Sequence, residues 1–211
     1  MADTLHLDHL RIAQNGREML RIDATIAPGE VLSVMGPSGI GKSTLLAAII
    51  GMLPKGFKLD GRILLGGADI APLPPERRHI GILFQDALLF PHLSVGGNLA
   101  FGLPRGGNRK QRVAEALDSI GLPGFSDRDP ATLSGGQKAR VALMRVLLSQ
   151  PRALLLDEPF SRLDTELRAQ VRDMVFTRAR AAQLPVLLVT HDSEDARAAE
   201  GPVLTLVRPD A

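Results

Sequence analysis

One segment of the sequence has the residue types and spacing of a phosphate-binding loop. It fits the pattern G-x-x-x-x-G-K-S/T and comprises Gly36, Pro37, Ser38, Gly39, Ile40, Gly41, Lys42, Ser43 and Thr44. Glycines let successive backbone N–H groups converge on phosphate oxygens, and the start of the following helix favours an anion. Lys42 would then contact the β and γ phosphates, and the Ser43 hydroxyl would bind Mg²⁺. The alternative interpretation is a glycine-rich turn that carries a solvent-exposed lysine.

Two carboxylates follow an apolar run later in the chain. Residues 153–156 lead directly into Asp157, Glu158 and Pro159. An aspartate at the end of a buried strand is well placed to hold Mg²⁺, commonly through water. Glu158 beside it could accept a proton from an attacking water as a general base. Taken alone, the pair fits a solvent-exposed strand end equally well.

A third segment predicts a second phosphate site, this time without a lysine. Ser134, Gly135, Gly136 and Gln137 follow Leu133, and a helical pattern begins there. Small residues and the positive end of the helix dipole favour an anion at such a position. If each site is half of a nucleotide pocket, two chains in head-to-tail contact would enclose two nucleotides. The alternative is an ordinary helix start capped by a serine.

Apolar strands that alternate with amphipathic helices must position these segments. The hydrophobic pattern predicts strands over residues 20–26, 31–35, 80–84, 153–156, 186–189 and 203–207. It predicts helices over residues 42–52, 113–120, 135–148 and 165–182. Such an order indicates an α/β fold with a mostly parallel core sheet flanked by helices. We expect a core formed by residues 1–86 and 150–211, with an inserted helical sub-domain over residues 87–149.

Composition restricts the classes of protein that fit. The 211 residues contain no cysteine, which leaves no disulfide or thiolate metal site and fits a reducing compartment. The formal charge of +2 is small and its basic residues are scattered, which favours a solvated surface over a nucleic-acid interface. The start of the sequence lacks the pattern of a signal peptide. Its apolar stretches are too short to span a bilayer, so we expect any work at a membrane to need a partner.

The segments GPSGIGKST, LSGGQ and LLLDEP, in that order, resemble the ATP-binding-cassette (ABC) family of ATPases. The resemblance covers nearly the whole chain. It implies a single ABC ATPase domain over residues 1–211, with the P-loop NTPase fold and an N-terminal antiparallel β portion. It also implies that the chain binds MgATP, forms a homodimer in the ATP-bound state and hydrolyses the ATP to ADP and phosphate.

Three further elements of that family have counterparts here. The segment around Gln85 resembles the Q-loop, which contacts Mg²⁺ and the transmembrane partner. Residues 161–164 resemble the D-loop, which lies across the dimer seam. The segment around His191 resembles the switch-histidine segment, which contacts the γ-phosphate. The resemblance therefore implies catalytic roles for Glu158, His191 and Gln85, and an Mg²⁺ site formed by Ser43, Gln85 and Asp157.

Within the family, residues 88–98 resemble bacterial importers of small polar solutes and anions, such as thiamine, iron(III), sulfate and molybdate. This implies separate transmembrane permease subunits, a solute-binding protein, no nucleic acid, and a peripheral location at the cytoplasmic face of the inner membrane. Two alternatives stay open. One is a soluble ABC ATPase that acts on nucleic acid or ribosomes, and the other is a nucleotide-binding switch without useful turnover. The LSGGQ segment excludes a small-molecule kinase.

The chain departs from the family's pattern at three places. Residues 12–16 contain no aromatic side chain where the family usually stacks the adenine, which by analogy with base stacking removes about 1–3 kcal/mol of contact. We therefore expect loose selectivity for the base. Arg162 replaces the small residue that is commonest in the D-loop. Gly97 occupies a position where importers often carry a glutamate that contacts the membrane subunit.

Overall fold

A computed structural model describes residues 3–163 and 165–207. Within this part of the chain, the strands are β1 (Leu5–Gln14), β2 (Arg17–Ile26), β3 (Val31–Met35), β4 (Phe57–Leu65), β5 (Ala68–Asp69), β6 (Ile80–Leu83), β7 (Ala153–Asp157), β8 (Val186–Val189) and β9 (Val203–Thr205). The α-helices are α1 (Lys42–Ile50), α2 (Val95–Gly102), α3 (Arg109–Ser119), α4 (Gly135–Leu148), α5 (Thr165–Ala181) and α6 (Ser193–Ala198). The structure confirms the predicted α/β class.

The strands that carry the candidate site belong to a sheet of order β6-β7-β8-β3-β9. The pairs β3–β8, β7–β8 and β3–β9 are parallel. Their apolar runs are buried almost throughout, as expected for strands covered on both faces. Parallel strands bring their carboxyl ends to one edge of the sheet. The predicted site residues 36–44, 157, 158 and 191 lie at or just after the carboxyl ends of β3, β7 and β8.

The N-terminal part forms an antiparallel sheet of order β2-β1-β4-β5. This confirms the antiparallel β portion implied by the family resemblance. Leu5, Leu7, Leu10 and Ile12 are buried on one face of β1. The step of three between Leu7 and Leu10 breaks the alternation of a regular strand, and the pairing of β1 with β2 shifts register at the same place.

The chain divides into two compact units. The first unit comprises residues 1–82, 152–158 and 176–211, and the second comprises residues 83–151 and 159–175. The sub-domain predicted from the sequence covered residues 87–149 only. The core of the first unit combines apolar side chains of both sheets with those of α1. The core of the second unit is formed by apolar side chains of α2, α3 and α4 and of the connecting segments.

Most predicted elements are present, with shifted ends. The helix predicted over residues 42–52 ends at Ile50, because Gly51 adopts a left-handed conformation with φ 83°. The buried guanidinium of Arg78 donates hydrogen bonds to the carbonyls of Ala48 and Ile49 at that end, both at 2.8 Å. A Cβ atom on Gly51 would lie 2.7 Å from Arg78 Cζ, so this position requires glycine.

Other strands and helices differ from their predicted bounds by a few residues. The strands predicted over residues 80–84 and 203–207 end at Leu83 and Thr205, and the helix predicted over residues 165–182 ends at Ala181. The helix over residues 135–148 and the strand over residues 186–189 are confirmed. The helical pattern at residues 113–120 belongs to the longer α3. The sequence analysis did not identify β1, β4, β5, α2 or α6 as separate elements.

Candidate active site

The glycine-rich loop lies between β3 and α1 in the first unit. Its lysine is buried, and Lys42 Nζ donates hydrogen bonds to the carbonyl oxygens of Gly36 at 2.7 Å and Pro37 at 3.1 Å. Gly41, with φ 106°, is the N-cap of α1, and no side chain of the described residues caps this helix start. The loop thus holds a cation beside backbone N–H groups that have no side-chain partner, which is what a phosphate group requires.

A cavity of about 300 Å³ opens beside this loop. It is lined by Met19, Ser38, Gly39, Gly41, Lys42, Ser43, Thr44 and Glu158. Its lining thus combines the loop, the first turn of α1 and one of the two predicted carboxylates. The volume is at the lower end of the range of ligand pockets, so a ligand with a bulky apolar part would extend out of it.

Asp157 lies at the end of β7, where its carboxylate hydrogen bonds to Ser43. Burial raises the pKa of Asp157, and the neighbouring charge of Glu158 raises it further. The Ser43 hydrogen bond and the positive charge of Lys42 act in the opposite direction. A half-buried carboxylate beside a hydroxyl forms a set of oxygen ligands suited to Mg²⁺, and a bound cation would relieve the repulsion between the two carboxylates.

Glu158 adopts a left-handed backbone conformation with φ 46°, which is uncommon for a residue other than glycine. Its backbone N–H donates to the Val189 carbonyl at 2.9 Å, across to the end of β8. Its carboxylate Oε2 lies 3.1 Å from Nδ1 of His191, whose side chain is 62% exposed. The structure therefore brings Glu158 and His191 together, although 32 positions separate them in the sequence. A carboxylate held by an exposed imidazole can accept a proton from water.

The residues around His191 form a local hydrogen-bond network. The buried Thr190 hydroxyl donates to Asp195 Oδ2 at 3.3 Å and accepts from the Asp192 backbone N–H at 3.0 Å. Asp192 is also the N-cap of α6. The sequence analysis missed Thr190 and Asp195. The available signal was a threonine followed five positions later by an aspartate, and the burial of both side chains is what distinguishes this pair.

The Ser134–Gln137 segment begins α4 in the second unit. Ser134 Oγ accepts from the Gln137 backbone N–H at 3.3 Å, and the Gln137 side chain accepts from the Ser134 backbone N–H at 2.9 Å. These two bonds form a capping box. Gly135 is exposed beside them. The helix start is thus capped by its own side chains, and its role as a second phosphate site stays a prediction.

Gln85 also lies in the second unit, where its Nε2 donates to Ser161 Oγ at 3.1 Å. Next to this contact, the Arg162 guanidinium forms an ion pair with Asp86. The predicted Q-loop and D-loop are therefore joined by two polar contacts. The predicted role of Gln85 at the metal stays a prediction, and Asp164 lies outside the described residues.

The segment that resembles importers, residues 88–98, precedes and begins α2. Leu88 is 56% exposed. Phe101, which lies in α2 just after this segment, is 66% exposed. The rings of Phe90 and Phe101 lie 4.7 Å apart. Leu89, in contrast, packs against the core of the second unit. The exposed apolar side chains in and next to this segment therefore include Leu88 and Phe101, whereas Leu89 is not one of them.

The sequence matches known proteins over most of its length. The sequence profile of the ABC transporter family matches residues 19–161. The chain is 51% identical over 189 residues to the ABC transporter ATP-binding protein YnjD of Escherichia coli, covering 88% of this chain and 87% of that protein. It is 48% identical over 197 residues to the thiamine import ATP-binding protein ThiQ of Cereibacter sphaeroides, covering 92% of this chain and 84% of that protein.

A third relative is the spermidine/putrescine import ATP-binding protein PotA of Frankia alni, which is 46% identical over 180 residues, or 83% of this chain and 38% of that protein. The family match and these identities confirm the resemblance inferred from the motifs. The chain belongs to the ABC transporter family, and it is an ABC ATPase that binds ATP. Among the described residues, no helix is both long enough and apolar enough to cross a membrane.

Proposed function

We propose that this chain is the ATP-hydrolysing subunit of a bacterial ABC importer that takes up a small polar solute or anion through separate transmembrane subunits. The observation that carries the hydrolytic part is the arrangement in the first unit. There, the carboxyl ends of three neighbouring parallel strands and the segments just after them carry Lys42, Ser43, Asp157, Glu158 and His191. The carboxyl ends of parallel strands are where ligands bind in open α/β sheets.

Phosphate binding follows from the state of Lys42. Its ammonium group is held by the carbonyls of Gly36 and Pro37. A triphosphate in the loop offers charged oxygens that form stronger, charge-assisted hydrogen bonds with the same group. Backbone N–H groups at the start of α1 would bind the remaining oxygens. The loop and Lys42 thus select for polyphosphate.

The Ser43 hydroxyl and the Asp157 carboxylate are the first-unit groups that would hold Mg²⁺. The ion supplies neutralisation of the charge on the β and γ phosphates. The repulsion between Asp157 and Glu158, which raises the pKa of Asp157, supports a cation at this position. Gln85 is the third proposed ligand, and its amide oxygen is of the chemical type that suits this ion.

Glu158 is the proposed general base. Its carboxylate would accept a proton from the water that attacks the γ-phosphorus, while the bond from phosphorus to the β–γ bridging oxygen breaks. His191 holds the carboxylate through Nδ1 and leaves its other ring nitrogen for the γ-phosphate. The Thr190–Asp195 hydrogen bond keeps the segment before α6 in place.

Two copies of the chain would share the nucleotides. The start of α4 has a capped helix end and an exposed Gly135 but no lysine in the Ser134–Gln137 segment. Such a group can add contacts to a nucleotide already bound at a P-loop, and it lacks the cation needed to bind one alone. We therefore propose a head-to-tail homodimer in the ATP-bound state.

Coupling to transport needs partners in the membrane. The thiamine and spermidine/putrescine relatives are named import ATP-binding proteins. By extension we propose that permease subunits dock on the exposed side chains Leu88 and Phe101, with a solute-binding protein completing the importer. The location would be the cytoplasmic face of the inner membrane. The alternative of a soluble ATPase for nucleic acid or ribosomes receives no support from these relatives.

The docking proposal is tested by charge substitutions at exposed positions. Leu88→Asp and Phe101→Asp should leave basal ATPase activity and thermal stability unchanged and should abolish membrane association and solute uptake. Met52→Asp is the matched control, since Met52 is 63% exposed and lies in the first unit. Leu89→Asp should instead lower stability, because it places a charge against the core on which the half-buried Leu89 packs. Full membrane association of both Leu88→Asp and Phe101→Asp would rule out this surface.

A further inference from the structure

Met19 is an extra residue in the pairing of β2 with β1. Ile12 pairs with Leu20, and Ala13 pairs with Glu18, so Met19 has no counterpart on the described strand β1. One extra residue opposite a regular strand is a β-bulge. Bulges re-aim side chains and are common next to active sites.

The bulge changes the direction that Met19 would otherwise take. Along β2, Leu20, Ile22 and Ile26 are buried, whereas Arg21 and the other odd-numbered residues after it are exposed. Strict alternation would therefore place Met19 with the exposed set. Instead it is half-buried and packs against the core of the first unit.

The thioether of Met19 lies beside the phosphate-binding loop. Met19 lines the same cavity as Lys42, Ser43 and Glu158. A Cβ atom placed on Gly41 would be 4.0 Å from Met19 Cε. Among the described residues, Met19 is the one large apolar side chain in this lining, and the others are small, polar or charged. The cavity of about 300 Å³ therefore has a single apolar wall.

We infer that Met19 is the contact for the ribose and base of the bound nucleotide and determines how strongly the base is selected. The inference rests on the proposed phosphate site, because phosphates held by Lys42 and Ser43 leave the nucleoside to extend along the cavity's apolar wall. A methionine side chain is unbranched and polarizable, and it makes favourable contacts with aromatic rings. It offers the base a contact surface but no specific hydrogen bond. Adenine and guanine should therefore be accepted alike.

This assignment also explains how the chain manages without an aromatic residue in residues 12–16. Those residues form the end of β1 and the turn into β2, and Ala13 leaves no side chain for stacking. The bulge brings a flexible apolar group from the adjacent strand to the nucleotide cavity instead. The chemistry expected is face contact through a thioether in place of ring stacking.

The test compares two ligands on the full-length chain. A nonhydrolysable ATP analogue and inorganic tripolyphosphate would be titrated, with Mg²⁺, by calorimetry against the wild type, Met19→Ala, Met19→Leu and Met19→Phe. Met19→Ala should weaken binding of the ATP analogue by about five- to tenfold, which corresponds to the upper range of a sulfur–aromatic contact. Tripolyphosphate should bind as it does to the wild type. Met19→Leu should restore part of the affinity, and Met19→Phe should restore all of it.

The matched control is Met52→Ala, which removes an exposed methionine of the same unit outside the cavity lining and should change neither ligand. Equal weakening of both ligands by Met19→Ala would overturn the inference, since Met19 would then only support the shape of the loop. Unchanged binding of both would overturn it as well. If the wild type binds neither ligand, the proposed phosphate site fails first. If the wild type binds tripolyphosphate and Lys42→Ala does not, the proposed phosphate site is supported whatever the Met19 variants show.

Discussion

Two helices of this protein begin with glycine-rich segments, and they treat their free N–H groups in opposite ways. At α1 the N-cap is Gly41, without a side-chain cap, and the first helical residue is a buried lysine. At α4 the N-cap is Ser134, which forms a capping box with Gln137. One helix start is left open and contains its own cation, whereas the other is closed by its own side chains.

The difference indicates what each segment can do alone. An open helix start with a lysine can bind an isolated polyphosphate, because both the dipole and the charge attract it. A capped start has already satisfied two of its N–H donors, and the Ser134–Gln137 segment has only the helix dipole and uncharged side chains to offer. In our proposal, the same glycine-rich composition therefore provides the primary phosphate contact in the first unit and a supplementary contact from a second copy in the second unit.

The largest expected effect tests whether the α4 segment acts on a nucleotide held by another chain. Glu158→Gln should keep ATP binding and reduce turnover by about 10²–10⁴-fold, since the amide cannot accept a proton from water. Uncleaved ATP should then trap a dimer, which size-exclusion chromatography with light scattering would detect. Turnover at the wild-type rate would remove Glu158 from the base role, and a variant that stays monomeric at saturating ATP would contradict the shared site.

The next effect separates the two helix starts directly. Lys42→Ala should weaken tripolyphosphate binding by about a hundredfold or more and abolish hydrolysis, because the loop loses its charge-assisted donor. Lys138→Ala removes the lysine in the first turn of α4 and is the matched control, expected to leave tripolyphosphate binding to the monomer unchanged. Calorimetry would measure both. Equal losses in the two variants would remove the distinction between an open and a capped start.

A third effect concerns the electrostatic cost of the ionised Asp157 carboxylate near the open helix start. Because burial and Glu158 raise the pKa of Asp157, its ionised form is disfavoured in the folded protein. The unfavourable contribution is present at neutral pH and is relieved as the pH falls through the folded-state pKa. Asp157→Asn should therefore raise the melting temperature without nucleotide at pH 7–8, and its advantage over wild type should shrink at lower pH. A lower melting temperature at pH 8 would contradict this assignment.

A smaller effect is expected at the capped start. Ser134→Ala removes the capping box and should lower the free energy of unfolding by about 0.5–2 kcal/mol. Ser134→Thr keeps a hydroxyl and should retain most of that stability. Urea unfolding at constant m-value would measure the difference. If Ser134→Ala unfolds at the wild-type urea concentration, the cap contributes nothing and the two helix starts are more alike than the structure indicates.

The smallest effect is the choice of base. If Met19 supplies the main base contact, GTP should compete with ATP to within about tenfold, or 1.4 kcal/mol. Competition binding with both nucleotides gives this ratio. Discrimination of a hundredfold or more, about 2.7 kcal/mol, would mean that a polar group reads the base edge.

The sequence predicted best those features that depend on residues close together along the chain. The glycine-rich loop and the strand before Asp157 involve neighbours within a few positions, and spacing alone identified them. For the start of α4, spacing gave a serine cap only as the alternative, and the structure shows a capping box there. The bound of α1 was predicted two residues too long. A contact that helps to define this end comes from Arg78, 27 positions after Gly51.

The sequence by itself determined the class of protein, the α/β fold and the position of the glycine-rich loop, and it identified Asp157, Glu158 and His191 as candidates. These follow from local patterns, since a loop conformation or a strand depends mainly on the residues that form it. Only the tertiary structure decided that Glu158 and His191 are 3.1 Å apart, and that Leu89 packs against a core while Phe101 is exposed. It alone also decided that a bulge brings Met19 to the cavity beside the glycine-rich loop. Such contacts depend on how strands pair and on which side chains the packing covers. The hydrophobic pattern of a single sequence determines neither.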